Sequence, residues 1–140
     1  MNIQQLHPNF SMPTRGSHDA AGYDITMPES GVITHGEAKK VALGFAAEVP
    51  AGYMAILLPR SGVGFKKGLE LHNTCGIIDA DYRGEWFASL HIKTGSEFRW
   101  EAGEKLLQFI LVPVHLPDLQ LVDSVSETVR GTGGLGSTGK

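Results

Sequence analysis

The chain has 140 residues, enough for one domain that buries roughly two-thirds of its unfolded surface without covalent staples. Its 12 basic and 15 acidic residues leave a net charge of −3, which argues against a general nucleic-acid or membrane-surface binder. The one cysteine, Cys75, excludes an internal disulfide and suits a reducing, cytoplasmic setting.

The first residues, M-N-I-Q-Q-L-H-P, carry neither the basic nor the apolar region of a signal peptide. No stretch has a long helical period. Short runs rich in β-branched and aromatic residues alternate with Gly and Pro instead. They predict strands near 3–6, 23–26, 31–33, 39–43, 46–49, 53–58, 69–71, 77–78, 85–93, 105–112 and 119–122. Residues 61–67, after Pro59-Arg60, predict a single helical turn, with Ser61 at its N-cap. The apolar run 106–114 is interrupted by Gln108 and Pro113 and is too short to cross a bilayer. The last segment, R-G-T-G-G-L-G-S-T-G-K from Arg130, has one apolar residue and cannot order itself by burial. The expected fold is all-β, a jelly-roll-like β-sandwich or distorted barrel over 1–129 with one short helix. A flexible glycine-rich C-terminal arm, 130–140, follows it.

The segment N-T-C-G-I-I-D-A-D-Y-R-G from Asn73 is the densest in chemistry. An amide, two carboxylates, a phenol and a guanidinium in twelve positions have no use in a core strand, where each would need a buried partner. Ile77 and Ile78 anchor a strand, and the following residues read as a tight turn on a rigid support. Asp79, flush against the isoleucines, is the candidate general base, and Asp81 the residue that orders the turn or pairs with an arginine. Tyr82 either stacks on a sugar or covers the hairpin. Arg60 and Ser61 in P-R-S-G offer a donor fork and a helix start to an anion, or form a plain cap with a surface arginine. Asp24 in A-G-Y-D-I is either a solvated turn residue or an oxygen ligand for Mg²⁺, direct or through water. Gln108, inside L-L-Q-F-I-L-V, is a buried amide that bonds backbone or faces a phosphate channel. The six histidines show no metal-ligand spacing.

Five motifs in order resemble the trimeric deoxyuridine triphosphatase (dUTPase) family: A-G-Y-D-I from Ala21, P-R-S-G from Pro59, the Asn73 segment, G-E-K-L-L-Q from Gly103, and R-G-T-G-G-L-G-S-T-G from Arg130. The resemblance implies hydrolysis of dUTP to dUMP and pyrophosphate, with Asp79 activating the water that attacks the α-phosphorus. It implies that Tyr82 packs under the deoxyribose, that backbone around Gly76, Ile77 and Ile78 reads uracil, and that Asn73 positions the base or the water. Phe87 is expected to line the base pocket. Arg60, Ser61, Gly62 and Gln108 would hold the phosphates, and Asp24 would touch Mg²⁺ through water. Arg130, Leu135, Gly136, Ser137 and Thr138 would close over the substrate, reaching a site built by neighbouring subunits of a homotrimer. Neither nucleic acid nor membrane is an implied partner. The chain departs from the family at Leu135, where an aromatic is usual, at Lys105, where arginine is usual, and at Leu107, where alanine is common. Two alternatives stand beside this expectation: a dCTP deaminase of the same fold, and a binding module gated by dUTP.

Overall fold

The computed structural model describes residues 1–134. Strands β1 (Ile3–Gln5), β2 (Thr14–Arg15), β3 (Tyr23–Thr26), β4 (Gly31–Thr34), β5 (Lys39–Ala42), β6 (Phe45–Ala47) and β7 (Tyr53–Pro59) precede helix α1 (Ser61–Lys67). Strands β8 (Leu69–Leu71), β9 (Gly76–Ile78), β10 (Phe87–Ile92), β11 (Glu97–Trp100) and β12 (Lys105–Pro113) follow it.

The main sheet has the order β2-β3-β12-β7-β9, faced by a three-stranded sheet β5-β10-β8 and by the pairs β4-β11 and β1-β6. Neighbouring strands run antiparallel, and the sheets stay open rather than closing into a barrel. This is the expected all-β, jelly-roll-type sandwich. Strand β12 is its spine because its apolar sequence can be covered on both sides: β3 pairs with one edge and β7 with the other. Between the layers, the Trp86 ring lies 5.1 Å from Phe45 and 5.2 Å from Phe109, centroid to centroid. Each such pair adds about 0.5–1.5 kcal/mol beyond the area it buries.

Ladder register sets up the chemistry. Thr14 opposes Asp24, Asp24 opposes Gln108, and Gln108 opposes Leu58, so one row crosses four strands. Directly opposed residues share a face, and Asp24 and Gln108 therefore stand side by side. The register shifts between Lys105 and Leu107. The extra residue lets Leu106 and Leu107 both enter the core, while Lys105 is turned toward the row.

Most expected strands form within a residue or two of their expected bounds, with three differences. Residues 119–122 form no strand: Leu119 and Leu121 are fully exposed, because among the described residues the segment has no neighbouring ladder to join. Strands β2 and β11 are additional. Helix α1 is present, but its N-cap position is Arg60, with Ser61 as the first helical residue and no side-chain cap bond.

Candidate active site

Two clefts collect eleven of the seventeen expected site residues. The first, of about 220 Å³, surrounds the hairpin that follows β9. Strand β9 supplies Gly76, Ile77 and Ile78, the turn supplies Asp79 and Tyr82, and Asn73 and Phe87 close the two ends. Trp86 forms the floor; it is fully buried, and its indole N–H has no protein partner among the described residues. Sequence reasoning missed Trp86, although its place directly after the turn, G-E-W-F, was a signal.

The hairpin holds its shape through its own backbone. Tyr82 N–H donates to Asp79 O at 3.2 Å, and the Tyr82 hydroxyl donates to Glu85 O at 3.1 Å. Gly84 is required beneath that phenol: a Cβ there would lie 2.4 Å from the Tyr82 oxygen. Arg83 donates to Ala80 O at 2.7 Å. Asp81, expected to order the turn or pair with an arginine, forms no ion pair among the described residues. Thr74, just ahead of β9, has φ 70°. That conformation is strained for a β-branched residue, and it bends the chain between Asn73 and Gly76.

The second cleft, of about 430 Å³, opens above the polar row and is polar in character. Asp24, Arg60, Ser61 and Gln108 line it, with the 16–22 loop as its rim. Asp24 is 8% exposed. Its Oδ1 forms an ion pair with Arg60, 2.9 Å from Nε, and its Oδ2 lies 3.8 Å from Lys105 Nζ. Lys105 also donates to Thr14 Oγ1 at 3.1 Å. A carboxylate taken out of water needs such partners, and the arrangement fixes the Arg60 guanidinium at the cleft wall. Gln108 Nε2 donates to Pro59 O at 3.2 Å. Its Oε1 occupies the space a side chain at position 22 would fill, 2.4 Å from an ideal Cβ, so any residue other than glycine at Gly22 must displace the amide.

This cleft suits a polyanion. It presents Arg60, an amide and a hydroxyl against one carboxylate, whose charge Arg60 and, from outside the lining, Lys105 offset. No cluster of three metal-ligating side chains occurs among the described residues. Asp24 alone fits Mg²⁺ only in the manner where phosphates and waters supply the other ligands.

The remaining expected residues fall elsewhere. Gly62 is exposed on α1 and lines neither cleft. Arg130 is exposed, donates to Gly133 O at 3.0 Å and lines neither cleft. Leu135, Gly136, Ser137 and Thr138 lie outside the described residues.

The two clefts share no lining residue. Ala55 pairs with Ile78, which sets Asp79 level with Met54, whereas Arg60 stands six residues further along the same chain direction. At about 3.3 Å per residue the separation is roughly 20 Å. Asp79 and Arg60 thus sit level with opposite ends of β7.

Residues 8–139 match the family model described as dUTPase. The chain is 37% identical over 140 residues to a deoxyuridine 5'-triphosphate nucleotidohydrolase of Nautilia profundicola, covering 100% of this chain and 99% of that protein. It is 41% identical over 138 residues to the protein of that name from Corynebacterium diphtheriae, covering 98% and 91%. Among solved structures, the Staphylococcus bacteriophage 80alpha dUTPase with dUPNHPP superposes with a TM-score of 0.90 at 29% identity, over 99% of this chain and 98% of that one.

Proposed function

The chain belongs to the dUTPase family and is a deoxyuridine triphosphate nucleotidohydrolase; from that premise we propose that Asp79 is its general base and that Arg60, Ser61 and Gln108 hold the phosphates. The observation that carries this reading is the company Asp79 keeps. It stands at the rim of a cleft walled by Asn73, the β9 backbone and Tyr82.

In this reading the nucleoside occupies the hairpin cleft. Backbone N–H and C=O groups of Gly76 to Ile78 hydrogen-bond the base edge, and Asn73 assists. A cytosine offers a donor where uracil offers an acceptor, and a hydrogen-bonding site rejects that swap strongly. The Tyr82 ring, tied down through Glu85 O, lies under the sugar and leaves no room for a 2′-hydroxyl. Asp79 accepts a proton from a water aligned with the leaving pyrophosphate. Its hydroxide oxygen bonds the α-phosphorus, and the bond from that phosphorus to the bridging oxygen breaks, giving dUMP and pyrophosphate. Arg60, oriented by Asp24, offsets charge that would otherwise repel the nucleophile. Mg²⁺, held by phosphates and through water by Asp24, would supply further charge neutralisation. Arg130, Leu135, Gly136, Ser137 and Thr138 belong to an arm that closes over the phosphates.

The active assembly is a homotrimer in which one copy lends Asp79 and another lends Arg60. The roughly 20 Å between them supports this, and so does the segment after β12, whose Leu119, Leu121, Val125 and Val129 stand exposed among the described residues. No helix among the described residues is long and apolar enough to cross a membrane. The single cysteine accords with a cytoplasmic enzyme.

A pyrophosphate-release assay across dUTP, dCTP, dTTP and UTP, with and without Mg²⁺, tests the reading. It expects dUTP alone to be turned over and chelation to abolish turnover. Equal turnover of dTTP or UTP would sink the assignment of the hairpin cleft, and ammonia release from dCTP would favour the deaminase. A second role, as a switch gated by dUTP, draws on a similar solved protein described as a phage dUTPase that controls transfer of virulence genes. Pull-down with and without dUTP separates that role from catalysis.

A further inference from the structure

Phe87 lines the cleft that holds Asp79 and Tyr82, yet 43% of it is exposed. An aromatic side chain on the outer face of a sheet has rotamers to choose among, and a mobile ring makes a poor wall. One contact limits that freedom. Lys40 Nζ stands 3.9 Å from the centroid of the Phe87 ring. Strand pairing explains the approach. Phe87 opposes Ala42 and Ser89 opposes Lys40, so Lys40 and Phe87 are diagonal neighbours across the β5–β10 ladder, within reach for long side chains. Lys40 pairs with no carboxylate among the described residues, so its charge is directed at the ring. It does not itself line the hairpin cleft; it lines the neighbouring one, with Val41 and Ala42.

We propose that Lys40 is a positioning residue for the nucleoside site, fixing the Phe87 ring as one wall of the hairpin cleft through a cation–π contact. The inference rests on the reading of that cleft as the nucleoside site. A wall contacts the nucleoside equally before and during phosphorus–oxygen cleavage, so its loss weakens uniform binding. KM rises and kcat does not fall. An exposed cation–π contact corresponds to a change of roughly two- to five-fold.

The test is steady-state dUTP hydrolysis by wild type, K40M, K40R, F87L and K40M/F87L. K40M is expected to raise KM about two- to five-fold at unchanged kcat, and K40R to restore it, because a guanidinium also seats on an aromatic face. In the F87L background, K40M is expected to change nothing further. The K40M effect is expected to persist in about 1 M salt, where a charge acting by long-range steering is screened within about 3 Å. A KM indifferent to K40M, a loss of kcat instead, an undiminished effect in F87L, no rescue by K40R, or disappearance of the effect at high salt each overturns the role of Lys40. If wild-type protein fails to hydrolyse dUTP, the underlying reading falls and this inference falls with it. Normal wild-type turnover with an unchanged K40M removes the inference alone.

Discussion

Asp24 and Arg60 form one charge-paired unit, with Oδ1 and Nε 2.9 Å apart and the carboxylate almost entirely out of water. Two roles assigned separately from sequence, a metal-side acid and a phosphate-side arginine, are mechanically joined. D24N should therefore do more than remove a ligand through water. It leaves Arg60 held only by its hydrogen bond to Lys105 O among the described residues, leaves Lys105 without its second partner, and costs about 1–2 kcal/mol of stability. Denaturant midpoints and dUTP kinetics on the same preparation check this. A variant with normal stability and normal KM would show that the pair is incidental.

D79N keeps the size and shape of the side chain but removes the proton acceptor. It should bind a non-hydrolysable dUTP analogue with near-normal affinity while turnover falls about 10²- to 10⁴-fold. Calorimetry and pyrophosphate release decide the point together. Loss of binding in parallel with turnover would reassign Asp79 to substrate contact.

G22A separates steric cost from functional cost. The added Cβ meets the Gln108 oxygen, the far end of a flexible side chain, so the amide can swing aside and the fold should lose less than about 1 kcal/mol. The displaced amide no longer faces the polar cleft. One hydrogen bond to a charged phosphate is worth about 1.5–3 kcal/mol, so KM for dUTP should rise about tenfold or more. Thermal melting that falls sharply while KM holds would contradict this account.

Thr74 sits at φ 70°, where asparagine is far more at ease. T74N should relieve about 1 kcal/mol of strain and raise Tm by about 3–4 °C. If the bend also sets the placing of Asn73 and Gly76, activity should stay within about twofold, because the backbone path is retained. A Tm that drops would mean that the threonine makes compensating contacts.

Mixed assemblies test the division of labour along β7. D79N and R60A are each expected to be nearly inactive. Unfolded together in equal amounts and refolded, they should recover roughly a quarter of the wild-type sites, those that draw Asp79 from one variant and Arg60 from the other. Recovery no greater than the sum of the separate activities would place the whole site in one chain.

The hairpin half of the site was legible because its parts are local. Asn73 to Phe87 are consecutive, two β-branched residues fix the strand, and D-A-D-Y-R-G can only turn. The partnership of Asp24, Arg60 and Lys105 was not legible, because it depends on register between three distant strands. The irregularity after Lys105 is invisible in L-L-Q-F-I-L-V, which reads as an unbroken strand. Glu97 to Trp100 alternates exposed and buried and could have been recognised by period alone. Residues 119–122 show the reverse limit: a strand-like pattern says nothing about whether a partner strand exists.

The stretch beyond β12 carries Leu119, Leu121, Val125 and Val129 on the outside of the molecule. In the proposed homotrimer companion copies cover this oily ribbon, and a lone copy leaves it in water, open to proteases and to stray contacts. Melting curves should shift upward with protein concentration, and dilution alone should be enough to make this protein short-lived.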